Sequence, residues 1–124
     1  MSLCYDIGAG FLGSKGIMTV SAGIEFEKKD IVLQEVKHQL QQILEGNVSR
    51  EEMAAAKESL LSMLRSNHES PGAIEGYYAS AAISGIGMDT ARFMAAVEAV
   101  ELSDVISAAK TLQLQAVYFL KGEN

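Results

Sequence analysis

Apolar positions change period along this chain, and each change marks an element. From Leu3 to Phe11, Leu3, Tyr5, Ile7 and Ala9 alternate with Cys4, Asp6, Gly8 and Gly10, which predicts a strand with one apolar face. Gly8 and Gly10 weaken it and suggest a bulge or a close backbone approach. Leu12-Gly13-Ser14-Lys15-Gly16 has turn chemistry at both ends. Ile17 to Ile24 alternates again, with Met18, Val20, Ala22 and Ile24 on one face. The short glycine-containing connection predicts an antiparallel hairpin.

From Glu27 to Glu45 the period becomes helical. Val32, Val36, Leu40, Ile43 and Leu44 recur on one face, while Lys28, Lys29, Glu35, Lys37 and Gln41 point out. Gly46 ends this helix by tolerating a left-handed C′ conformation. Ser49 then caps a second helix running to about Asn67, and Glu52 completes a capping box. Val48 and Met53 occupy the staple positions. Two helices are thus expected to meet at an elbow and share a core. The second buries Met53, Ala56, Leu60 and Leu64 and exposes Arg50, Glu51, Lys57 and Glu58.

Ser70 caps a third helix with Pro71 at its first position; Ile74, Tyr77, Tyr78, Ala81 and Ala82 face inward until Gly85-Ile86-Gly87. Asp89 or Thr90 opens a fourth helix bearing Phe93, Met94 and Val97. Ser103 caps a fifth, running to about Thr111, with Val105, Ile106 and Ala109 inward. Gln115 to Leu120 is apolar on both faces and reads as a last strand, central in its sheet. The expected class is α+β: a small, mainly antiparallel sheet with helices on one face, in the order β-β-α-α-α-α-α-β.

Composition narrows the function classes. With 124 residues, 48% hydrophobic and 21% charged, one globular domain over residues 1–124 is expected. The net charge of −6 and the lack of a Lys/Arg run argue against nucleic acid and anionic membrane partners. No apolar run reaches transmembrane length and no signal peptide opens the chain, so a cytoplasmic location is expected. The single cysteine, Cys4, gives no internal disulfide.

Candidate chemistry is sparse. A helical zinc site needs ligands one turn apart, as in HExxH or HxxEH. His38 has Gln at the following turn positions and His68 has Pro71 at +3, so neither fits, and no metal site or cofactor is expected in this chain. Cys4 has no positioned base nearby. Gly8 to Gly13 fits GxGxxG, but a strand follows where dinucleotide binding needs a helix. Glu51-Glu52 and Glu25-Glu27 read as helix-end carboxylates, and Tyr77-Tyr78 as core plus rim. No catalytic residue emerges.

Four stretches carry a resemblance: Leu3-Cys4-Tyr5, Lys15-Gly16 to Ile24, Ser49 to Leu64 (with Glu51, Glu52, Ala56, Lys57 and Leu60), and Tyr118 to Gly122. With the Ser70-Pro71 helix and Val100-Glu101-Leu102-Ser103-Asp104-Val105, the chain resembles the insulinase/pitrilysin family of zinc peptidases, in its processing-protease-like branch. The resemblance implies homologous α+β repeats around a closed peptide chamber, with HxxEH and zinc on the catalytic repeat. This chain looks like the latter half of a non-catalytic repeat, inactive alone. In active members such a repeat offers an Arg seven residues before a strand Tyr, and both contact substrate. Tyr5 matches the Tyr, and the Arg would fall before Met1. Tyr5 is then either a substrate contact or a packed sheet residue. The implied role is to close the chamber and hold peptide, beside a catalytic repeat or subunit. The alternative is a structural module that assembles a family complex without proteolysis. Unpaired strand edges and an apolar hairpin further predict a homodimer through Leu3 to Ile24.

Overall fold

The computed structural model describes residues 3–67 and 69–122. Its backbone falls into two compact units, one formed within Met1–Gly46 and Ile106–Asn124, the other within Asn47–Val105.

In the first unit, β1 (Asp6–Leu12) and β2 (Ile17–Gly23) form an antiparallel hairpin with Ala9 opposite Val20 and Leu12 opposite Ile17. Gly16 closes the turn at φ 62°, where a side chain would be strained. Direct opposition places residues on a common face. Ile7, Ala9 and Phe11 of β1 therefore line up with Ala22, Val20 and Met18 of β2 as an all-apolar face. A 3-10 turn (Phe26–Lys28) leads into α1 (Lys29–Leu44). Val32 is its buried residue, and Val36, Leu40, Ile43 and Leu44 are half-buried, as the periodicity predicts. Gly46 takes φ 77°, and its N–H donates to the Ile43 carbonyl.

The second unit opens on α2 (Arg50–Asn67), followed by α3 (Pro71–Ile83) and α4 (Thr90–Ala99). α2 packs on α4. The Asp89 carboxylate caps α4 by accepting from the Arg92 N–H at 2.8 Å. α5 (Leu102–Ala109) begins two residues earlier than expected: the Asp104 carboxylate accepts from the Glu101 N–H at 2.8 Å, which places Ser103 inside the first turn.

Four expectations are corrected. Gln115 to Leu120 forms no strand and has no sheet partner among the described residues; Tyr118 is 92% exposed. Among the described residues the sheet has two strands rather than three, and every residue of β1 is exposed, where one face was expected to be covered. On α2 the buried residues are Leu61 and Leu64, while Ala56 and Leu60 face solvent; on α3, Ala81 is buried but Tyr78 and Ala82 are exposed. Ser70 holds the extended backbone of an N-cap ahead of Pro71, but its side chain makes no capping bond. The α+β class stands.

Candidate functional site

Tyr5 lies at the base of the hairpin, immediately before β1. Its N–H donates to the Gly23 carbonyl at 2.7 Å, while Asp6 pairs with the same Gly23. Two residues thus oppose one, a bulge-like step of the kind that re-aims a side chain. The Gly23 N–H donates to the Asp6 carboxylate at 3.1 Å, and a Cβ on Gly23 would push that carboxylate aside.

The re-aimed phenol is 77% exposed, so Tyr5 is not a packed sheet residue in this chain. Its hydroxyl donates to the Glu25 carboxylate at 3.3 Å, and that carboxylate pairs with the Lys28 ammonium at 3.0 Å. Glu25 precedes the 3-10 turn and Lys28 ends it, so the turn sets their spacing. Leu3, Cys4, Tyr5, Glu25 and Lys28 line a cleft of about 240 Å³. The hydrogen bond and charge of Lys28, then the Tyr5 hydroxyl, hold the Glu25 carboxyl below its ordinary range. A carboxylate held ionised at neutral pH accepts hydrogen bonds and attracts cations, and it is a poor proton donor. The cleft therefore offers recognition: an aromatic ring, a fixed anion and an ammonium.

Beside it, the Phe26 ring has the Lys29 ammonium 4.6 Å and the Lys121 ammonium 4.7 Å from its centre. Lys29 also stands 5.8 Å from the Phe119 ring, which brings Phe119 near the start of α1.

The other expected positions are structural or lie elsewhere. Ser49 and Glu52 form the expected box on α2. Its backbone bonds hold the Glu52 carboxyl below its ordinary range. Tyr77 donates to the Met88 carbonyl at 3.1 Å and meets Tyr78 and Phe93 edge to face; burial pushes its phenol up. His38 borders an open depression with Asp30, Ile31, Gln34 and Glu35. Among the described residues no three His, Cys, Asp or Glu cluster to hold a metal, and His68 lies outside them. The sequence reading missed the join of Glu25 and Lys28 to Tyr5. Its one local signal is the spacing of three between an acid and a base.

Fold and cleft together define an α+β segment with a small recognition cleft at the base of its hairpin. Residues 1–60 match the family model described as the Peptidase M16 inactive domain. Over 121 residues the chain is 25% identical to the probable inactive metalloprotease YmfF of Bacillus subtilis (strain 168), covering 98% of this chain and 28% of that relative. The chain thus spans little more than a quarter of that relative's length. No solved structure matches the chain. The resemblance read from the sequence is borne out: the chain is similar to the inactive, C-terminal type of insulinase-like repeat. No helix among the described residues is long and apolar enough to cross a membrane.

Proposed function

We propose that this chain is a non-catalytic segment of a zinc-peptidase-like protein, where it helps close the peptide chamber and holds peptide through Tyr5. One observation carries the reading: the inactive-domain match falls on residues 1–60, which contain the hairpin, Glu25, Lys28 and an outward-facing Tyr5. Tyr5 supplies a flat apolar ring to a peptide. The ionised Glu25 attracts a peptide ammonium or guanidinium, and Lys28 orients that carboxylate. Zinc would belong to the catalytic repeat or subunit that partners this chain, in the cytoplasm.

The exposed apolar hairpin favours the second reading, a module that assembles a family complex. Peptide binding separates the two. Titration of a fluorescent unstructured peptide with the chain should give saturable anisotropy. Tyr5→Ala should weaken it about fivefold, the worth of roughly 1 kcal/mol of lost contact. No binding, or equal binding by Tyr5→Ala, would remove the holding role and leave assembly.

A further inference from the structure

We propose that Phe26, with the Lys29 and Lys121 ammoniums set against its ring, is a second peptide subsite that takes a carboxylate. This deepens the peptide-holding reading and rests on it: the Tyr5 cleft takes a cationic group, and the neighbouring patch takes an anionic one.

Two lysines far apart in sequence meet at one ring. The Lys29 ammonium stands 4.6 Å and the Lys121 ammonium 4.7 Å from the centre of Phe26. Sharing that centre keeps the two ammoniums within about 9 Å of each other, about one Debye length at physiological salt. Their fields therefore add. The ring attracts each ammonium but neutralises neither. Among the described residues neither lysine has a carboxylate partner, whereas Lys28 beside them is paired with Glu25. The nearby acids are turned elsewhere: Glu25 faces Tyr5 and Lys28, and Asp30 borders the depression that holds His38.

The helix end adds to the same demand. Lys29 is the first residue of α1, where the helix dipole favours an anion and disfavours a cation. No side chain caps α1 or the 3-10 turn before it. Sequences break such local rules at functional sites. A bound carboxylate would answer both ammoniums and the helix end together.

Charge and surroundings select the ligand. The chain carries −6 overall, so an anion meets repulsion over most of its surface and attraction here. Phe26 is 38% and Phe119 45% exposed, which leaves ring surface for the methylenes that carry an acidic group. Glu25, Phe26, Lys28 and Lys29 lie in one short run of chain, so a single peptide can reach the cleft and the patch. Such a peptide carries a basic group for Glu25 and a carboxylate for Lys29 and Lys121.

Fluorescence anisotropy with three labelled peptides of one length tests this on the whole chain. One carries Glu and an amidated C-terminus, the next Gln in its place with the same amide, and the third Gln with a free terminal carboxylate. The Glu peptide should bind about fivefold tighter than its amidated Gln twin at low salt. That advantage should vanish at about 1 M salt, where the screening length falls to about 3 Å. Lys29→Gln and Lys121→Gln should each cut the advantage to about twofold. Lys37→Gln removes the same charge from an exposed position further along α1 and should leave the advantage intact. Tighter binding of the third peptide than of the second would support the subsite with the terminus as a source of the carboxylate. Tyr5→Ala should weaken the Glu and Gln peptides by the same factor. Equal binding of all three peptides, still weakened by Tyr5→Ala, would overturn the carboxylate subsite alone. So would an advantage kept when Lys29 and Lys121 are both replaced by Gln. No binding of any peptide would overturn both this subsite and the peptide-holding reading.

Discussion

The Ser49 N–H donates to the Glu52 carboxylate at 2.7 Å, and the Glu52 N–H donates to the Ser49 hydroxyl at 3.1 Å. Each residue satisfies a donor that the start of α2 would otherwise leave to water. Ser49→Ala should therefore cost about 1 kcal/mol, read as a lower urea midpoint with an unchanged slope. Glu52→Gln should cost less, and the double variant should fall short of the sum.

The same pair sets a pH dependence. The folded Glu52 carboxyl lies below its ordinary value of 4.5, mainly through the Ser49 N–H. A depressed carboxyl stabilises the fold fully above the unfolded value, and that contribution is lost as pH falls through the folded one. The chain should lose less stability on acidification as Glu52→Gln than as wild type, measured by urea unfolding at neutral and acid pH.

Lys57 anchors α2 to α4: its ammonium donates to the Glu98 carbonyl at 2.9 Å, near the C-terminal end of α4 where a cation is favoured. Lys57→Met keeps most of the apolar stem and removes the charge. It should lower stability by about 1 kcal/mol. An unchanged thermal midpoint would show that the contact contributes nothing in solution.

Gly46 holds φ 77°, and a Cβ there would sit 3.5 Å from Ile106, an ordinary contact. The cost of Gly46→Ala is therefore backbone strain, about 1–2 kcal/mol. Gly46→Asn should recover part of it, since Asn tolerates this region better. Equal stability of Gly46→Ala and wild type would contradict the helix end seen here.

What the sequence made legible is mostly local. The α2 box, the Asp89 cap and the Gly46 stop each depend on residues within about four positions of one another. The hairpin was legible because alternation and a glycine turn agree. The buried stripe of α2 was not. Met53, Ala56, Leu60 and Leu64 fit a helical face as well as Met53, Lys57, Leu61 and Leu64 do. The choice between them falls with Lys57, whose partner lies on α4, far along the chain. Gln115 to Leu120 has strand composition, but a strand exists only with a partner. The cleft was half legible: resemblance singled out Tyr5, while Glu25 and Lys28 join it only through the bulge-like step at Gly23.

The central claim, a peptide-holding segment without catalysis, is tested most directly by nitrogen–proton correlation spectra of the chain during titration with an unlabelled peptide. Amide shifts should concentrate at Tyr5, Glu25 and Lys28, the residues lining the cleft, while the peptide's mass stays unchanged. Peptide cleavage, or a spectrum that does not move at these residues, would contradict the account.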